Sequence, residues 1–396
     1  MNVLIAADAR LYRTPDGKVW CKTIYGYDFW TRYLAVFEDV TIISRLGDAT
    51  YDDVKGWLRS DGPHVNFKGM PMVRGSKGYI VHFLAFLISA IEASLKSDCA
   101  IIRLPSLSAT FVELFYRWIS KPYAIEVVAD PQNAYAERPL VASVLSFFLR
   151  KACLKSNGVS YVTQFALQKD YPSKAHLQHY QTARYFESHY SSIILKNNFF
   201  AKPRIYGAMH NKIRLIHTAN NMNNDVKGHD IVIKVIKKLF DDGIDANITF
   251  IGDGDRRKVL EQMAESLGIG DKVQFTGFLS SSDEVRSKLL EADLFIFPTK
   301  AEGLPRAIIE AMAVGLPCLS TPVNGIPELL PSRYMFNPMD VEGFTMAVER
   351  LIKHPEEMSQ MSQTNVNKAR NYEYDKLNER RRIFYTKLKK LVNVKC

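Results

Sequence analysis

FIFPTKAEGLPRAIIEAMAVGLPCLSTPVNGIPELL, residues Phe295–Leu330, is the stretch on which the reading turns. It opens as a short apolar strand that stops at Pro298, and a loop with Glu302 and Gly303 follows. A helix is predicted to start near Leu304–Pro305, with proline in the first turn, where its missing N–H leaves no bond unmade. The free amides and positive dipole end of such a helix suit a phosphate, and Gly303 lets backbone approach it closely. Glu302 in the loop can accept hydrogen bonds from hydroxyls. Glu310, about two turns further on, can hold a vicinal diol such as a ribose. Each glutamate alone has a plainer reading, Glu302 as a helix cap and Glu310 as a solvated side chain. The whole string is much more specific.

Outward from this stretch, short apolar runs alternate with helical ones. Strands are predicted at Val3–Ala7, Val40–Ser44, Ala100–Leu104, Tyr123–Val128 and Val159–Val162, then at Ile213–His217, Ile248–Ile251, Val273–Phe275, Leu294–Phe297 and Cys318–Ser320. Helices are predicted between them, at Tyr79–Lys96, Ser108–Ile119, Pro139–Leu154, His229–Phe240, Asp255–Leu267 and Asp283–Leu290 among others. Alternation of this kind means βαβ units and parallel sheets. It pauses at Phe199–His210, a run with Pro, Gly and no periodicity. The expected organisation is α/β, with two Rossmann-like lobes facing across a cleft. One lobe is residues 1–205 and the other 206–372, and the terminal helix, 373–396, packs back onto the first. In open α/β sheets the ligand site lies at the carboxyl ends of the strands.

The chain has 396 residues, 47% of them hydrophobic and 24% charged, which excludes a disordered or fibrous protein. Five scattered cysteines with no CxxC pair argue against a disulfide framework or a cysteine zinc site and fit a reducing cytoplasm. The N-terminus lacks a secretory pattern, and the most apolar segment, Tyr79–Ala93, is shorter than the roughly 20 residues of a span. It reads as a buried or membrane-leaning helix. The formal net charge is +10, and residues 141–214 carry nearly all of the excess, with eleven Lys or Arg against Asp170 and Glu187. Such a region attracts phosphates. Interleaved with apolar residues, as in SVLSFFLRKACLK, it suits peripheral membrane contact at the inner face of a membrane as well as it suits a solvated helix face. No nucleic-acid recognition motif accompanies it.

EGLPRAIIEAMAVGLP (residues 302–317) resembles the signature of the GT-B retaining glycosyltransferases, in particular glycosyltransferase family four. KGHD (Lys227–Asp230), FIGDGD (Phe250–Asp255) and FTGF (Phe275–Phe278) resemble further parts of that family's C-terminal lobe. The resemblance implies a GT-B fold, a nucleoside diphosphate sugar donor on the C-terminal lobe and an acceptor on the N-terminal lobe. It implies no cofactor and no metal. Lys227 matches the lysine on the donor diphosphate, and Glu302 the acid that contacts the donor sugar. Gly303 and Leu304 match the amides facing the phosphates, and Glu310 the ribose-binding residue. Gly252 belongs to the glycine turn, and Gly277 would lie near the base. Asn220 and Asn221 stand where the family has a second diphosphate cation, an arginine. Gly17, with Lys18 beside it, stands near the family's N-terminal glycine pair. Asp130 holds the place of its mid-lobe histidine, and Asn324-Gly325 that of its late Gly-Gly.

The implied activity is metal-independent, retaining transfer of a sugar to a glycan or lipid-linked acceptor in surface polysaccharide assembly. A degenerate protein that binds nucleotide sugar or glycan without turnover is the alternative, and a phosphorylase or epimerase on the same scaffold a third reading. Asp253-Gly254-Asp255 fits the DxD pattern of metal-dependent transferases, but at the start of a helix Asp more commonly caps. Gly252 and Gly254 lack the third glycine of a dinucleotide fingerprint. Tyr25, Phe29 and Tyr33 recur at a spacing of four, which favours core packing over a sugar-stacking platform.

Overall fold

The computed structural model describes residues 1–73, 75–209, 212–279 and 281–393, with Ser76 described by its backbone alone. His210, Cys396 and the end of the 373–396 segment lie outside the described residues. The chain divides into two compact units, one of Met1–Tyr190 with the chain from Asn378 onward, the other of Ser191–Leu377.

The first unit is built on a nine-stranded sheet: β1 (Asn2–Arg13), β2 (Val19–Cys21), β3 (Asp39–Asp48), β4 (Leu58–Arg59), β5 (Val65–Met70), β6 (Cys99–Leu104), β7 (Tyr123–Val127), β8 (Gly158–Tyr161) and β9 (Phe186–His189). β1 lies between β3 and β6, and β6, β7, β8 and β9 follow in parallel. Val3–Ala6, Cys99–Ile102 and Tyr123–Ile125 are buried on both faces, as their unbroken apolar runs require. β2 and β4 form an antiparallel edge beside the second half of β1. Phe29, Trp30 and Tyr33 are buried on the helix Tyr27–Leu34, so this aromatic cluster is core.

A buried polar knot ties the terminal helix Tyr374–Asn393 into this unit. Glu126 accepts hydrogen bonds from Tyr33 (3.2 Å), Tyr190 (3.0 Å) and Tyr385 (2.7 Å) and ion-pairs with Arg103. Burial alone would push the Glu126 carboxyl up, yet the Arg103 and Arg32 guanidinium groups and the Tyr385 and Tyr190 hydroxyls together outweigh it and hold the group below its ordinary range.

The second unit carries a five-stranded parallel sheet of β10 (Lys212–Asn221), β11 (Asp245–Asp253), β12 (Val273–Phe275), β13 (Leu294–Phe297) and β14 (Cys318–Ser320), ordered β12-β11-β10-β13-β14. The chain steps outward from β10 to β12, then returns to pair β13 on the other side of β10. That return makes the β10/β13 gap the topological switch point, where open α/β sheets hold their ligands.

The boundary falls at Tyr190–Ser191, earlier than the sequence reading placed it. Residues 191–205 are bonded into the second unit. The Ala201 amide donates to Ala313 (3.0 Å), and the Arg204 guanidinium is shared among the carbonyls of Leu289 (3.0 Å), Ala292 (2.5 Å) and Val314 (3.1 Å). The predicted helix at Tyr79–Lys96 is two helices, Gly75–Val81 and Phe83–Leu95, parted at His82.

Candidate active site

β13 ends at Phe297, and the chain crosses Pro298–Pro305 before the helix Arg306–Ala313. Pro305 takes the extended capping position instead of the first helical turn, so the helix starts slightly later than predicted. After β10, residues 222–228 return as a loop whose single 3₁₀ turn, Asp225–Lys227, is closed by Gly228. Gly228 adopts a left-handed conformation (φ +73°), and a Cβ there would overlap the carbonyl oxygen of Pro298. Only glycine lets the two loops approach this closely. They are also bonded together, as the Lys300 amide and the Thr299 hydroxyl both donate to the Val226 carbonyl, at 2.8 and 3.2 Å.

This zipper brings Lys227 to Glu302 across the switch point. The ammonium ion-pairs with the carboxylate and donates to the Ala301 carbonyl at 3.3 Å. Both side chains remain partly exposed, so each can exchange partners. The Glu302–Leu304 loop is held from below by Asn324, whose side-chain amide donates to the Glu302 carbonyl, and by Gly325, whose amide donates to Gly303 at 3.0 Å. Asn324 has a positive φ, 45°. Leu304 is buried and fixes the loop against the unit.

Glu310 follows one turn into the helix. Burial pushes its carboxyl up to about 7, against the opposing pull of the Arg306 guanidinium. A carboxyl so placed gains most from a ligand that donates hydrogen bonds to its ionised form.

Asn221, Gly252 and Gly277 stand at the carboxyl ends of the neighbouring strands. The Gly252 amide donates to the Gly277 carbonyl at 3.0 Å, and both glycines have positive φ, 132° and 75°. A Cβ on Gly252 would overlap the Ala219 carbonyl. The Asn221 side chain accepts from the Asn223 amide at 2.8 Å, which shapes the loop leading to Lys227. Asp255 does not cap the next helix. That helix begins at Arg257 with Arg256 in the capping position, and the Asp255 amide donates to Asn223 at 2.9 Å. Arg256 ion-pairs with Asp225, two residues before Lys227, so an arginine does reach this loop, from the turn after β11.

Sequence reading missed the floor beneath Lys227. His217 on β10 and His229, first residue of the helix His229–Asp241, are both buried with ring centroids 4.5 Å apart. His217 Nδ1 bonds the Ile296 carbonyl at 2.9 Å, and both Nε2 atoms are buried without a hydrogen-bond partner among the described residues. Burial and the nearby Lys227 ammonium push His229 down to about 4, and burial with the His229 ring pushes His217 well below its ordinary value. Both imidazoles are therefore neutral at pH 7. The KGHD string already held His229, but its burial depends on strands far off in sequence.

Gly17, Lys18 and Asp130 belong to the first unit. Gly17 turns the β1–β2 hairpin with φ +82°, and Lys18 ion-pairs with Asp16 at 2.8 Å. Asp130 caps the short helix Pro131–Ala134. It accepts from the Gln132 amide (3.1 Å), the Asn133 side chain (2.8 Å) and the Tyr171 hydroxyl (2.6 Å). Both of its oxygens are engaged in holding backbone and neighbours.

Two α/β units with parallel sheets, and a strand–Glu-Gly–helix site at the switch point of the second, define a glycosyltransferase of GT-B fold. Residues 210–368 match the glycosyl transferases group 1 family. It is 27% identical to Protein CapJ of Staphylococcus aureus over 374 residues, 93% of this chain and 91% of that one. Over 110 residues it is 36% identical to the putative colanic acid biosynthesis glycosyltransferase WcaL of Escherichia coli, which covers 26% of this chain and 27% of that one. In structure it resembles Anabaena HepE solved in complex with UDP and glucose, with a TM-score of 0.64 at 14% identity, over 96% of this chain and 97% of that one. Among the described residues, no helix is long and apolar enough to cross a membrane.

Proposed function

We propose that this glycosyltransferase is retaining and metal-independent, and that it moves a sugar from a nucleoside diphosphate sugar to a glycan or lipid-linked acceptor in surface polysaccharide assembly. The observation that carries the reading is the Lys227–Glu302 pair across the switch point, at the mouth of the helix that bears Glu310. The donor's pyrophosphate would rest against the amides of Gly303 and Leu304. Lys227 would leave Glu302 for the phosphate oxygens and offset the charge that develops there as the glycosidic bond breaks. Glu302, released, would accept hydrogen bonds from sugar hydroxyls, and Glu310 would hold the ribose diol. The loop at Gly252 and Gly277 would face the base. Asp130 is left out of this chemistry because its oxygens are already engaged. HepE in complex with UDP and glucose supports the donor class, and WcaL, named for colanic acid biosynthesis, supports the polysaccharide setting.

A thermal-shift screen of nucleoside diphosphates and their sugars, followed by transfer and hydrolysis assays, tests the proposal. Binding stabilises by mass action, so the matching nucleotide raises the melting temperature. Turnover should follow, and Glu302→Ala should abolish most of it without unfolding the protein. No stabilisation by any nucleoside diphosphate would remove the donor site. Asn220 and Asn221, which offer no charge where a second cation is expected, favour the other reading: a protein that binds the nucleotide sugar without turnover. Tight binding with no product would establish that reading instead.

A further inference from the structure

The helices Phe83–Leu95, Leu107–Tyr116 and Pro139–Lys155 pack side by side over one face of the nine-stranded sheet. The middle one carries polar residues on its buried face. Ser108 and Glu113 face inward with Ala109, Val112 and Tyr116, and all five are buried. On its other side Leu107, Leu114 and Phe115 are partly exposed, while Phe111 packs against the core beside Phe83 and Phe86. Trp118, just past the helix, is 87% exposed. Glu113 is tolerated inside because Arg117 donates to it at 2.6 Å.

The flanking helices extend the same surface. Leu84 (68% exposed), Ile88 and Leu95 line the first, and the preceding turn of helix exposes Ile80 and Val81. Leu140 (83% exposed), Val144 and Phe147 line the third at spacings of four and three. Ten of the 25 exposed large hydrophobic side chains of the described residues therefore lie between Ile80 and Phe147. An apolar face spread over three helices is not left to water in a soluble monomer.

Charge identifies what covers it. Lys77, Lys96, Lys151 and Lys155 are exposed on or beside these helices. Of the acids on or beside the same helices, Glu92 is ion-paired with Lys68, Glu113 is buried, Asp98 accepts from the Asn2 amide, and Glu137 is exposed next to Arg138. A second copy of the chain would bring lysine against lysine. An anionic lipid surface would satisfy both the apolar stripes and the lysines. Lys151 and Lys155 belong to the basic 141–214 stretch, whereas Arg204 and Arg214 within it are spent on the second unit's carbonyls and on Asp293.

We propose that these helices form a membrane-docking face. The side chains of Leu84, Trp118 and Leu140 would enter the acyl boundary of an anionic leaflet, and the lysines would rest on lipid phosphates. The inference deepens the proposed function by placing the first unit against the surface where a lipid-linked acceptor would lie, and it rests on that reading for the acceptor alone.

Flotation of the full chain with liposomes tests it, using phosphatidylglycerol mixed with phosphatidylcholine against pure phosphatidylcholine, without donor or acceptor. The protein should float with the anionic vesicles, less so in high salt, and the emission of Trp118 should move to shorter wavelength. Leu84→Gln with Leu140→Gln should weaken partition about tenfold or more, and Lys151→Gln about fivefold. These side chains are exposed, so the variants should keep the wild-type melting temperature and the wild-type thermal shift with nucleotide. Absence of flotation, or flotation indifferent to the apolar substitutions, would overturn the proposal. So would a dimer in light scattering that the same substitutions convert to monomer. Nucleotide stabilisation is read separately, so failure of the donor site and failure of the docking face are distinct results.

Discussion

Lys227→Met removes the ammonium and keeps most of the side chain's apolar length. In the structure that ammonium contacts the Glu302 carboxylate and the Ala301 carbonyl, and both charged partners are partly exposed. A pair of this kind contributes about 0–1 kcal/mol to folding. For a unit of this size that is a fall of at most about 4 °C in melting temperature. The effect on transfer should be far larger. A cation aimed at charge that develops in the transition state is worth about 10²–10³ in turnover. The variant also leaves the Glu302 side chain without its partner, facing an incoming diphosphate, which opposes donor binding. The assay is paired: differential scanning fluorimetry for the fold, and product formation from the donor found in the nucleotide screen. Near-native melting with turnover down about a hundredfold or more is expected, and Lys227→Arg should recover part of it. Turnover within a few-fold of wild type would refute the role of the cation. A collapse in melting temperature would show that the pair is structural.

Three further outcomes follow from the same geometry. Because burial raises the Glu310 carboxyl to about 7, it is largely protonated at pH 6; ribose hydroxyls favour its ionised form, so nucleotide affinity should rise with pH through 7, by up to about tenfold per unit below it, and level off above, and calorimetry on Glu310→Gln should give a flat profile. His229 is held down to about 4 in the fold, whereas the unfolded chain takes up that proton from about pH 6.5, so stability should fall as pH drops through this window, by an amount on the order of 3 kcal/mol from this residue; His217 acts in the same direction, and chemical denaturation of His229→Leu across that range should show a shallower slope. Glu126→Gln leaves the buried Arg103 guanidinium without its counter-charge and should destabilise the first unit by about 3–5 kcal/mol in urea titrations, whereas Tyr385→Phe should cost only about 1 kcal/mol.

The strands β10–β14 and the loop carrying Glu302 were legible because each is a local pattern: an apolar run, a breaker, then a helical period. Lys227 and Glu302 could be paired only by resemblance, since they stand 75 residues apart and meet through the order of the sheet. The edge strands β2 and β4 escaped notice because three- and two-residue strands carry no periodicity, and their positions depend on the second half of β1. The boundary was misplaced for a related reason. The run Phe199–His210 reads as a linker, yet Arg204 within it is anchored by hydrogen bonds to carbonyls more than 80 residues away. Asp130 was placed by resemblance, at the family's mid-lobe histidine, and its capping of the helix Pro131–Ala134 depends on Tyr171, a partner distant in sequence.

A crystal structure of the protein with its nucleoside diphosphate tests the central claim most directly. The account predicts the pyrophosphate against the amides of Gly303 and Leu304, Lys227 turned from Glu302 onto the phosphate oxygens, and the ribose hydroxyls on Glu310. A nucleotide bound elsewhere, with the Lys227–Glu302 pair intact, would contradict it.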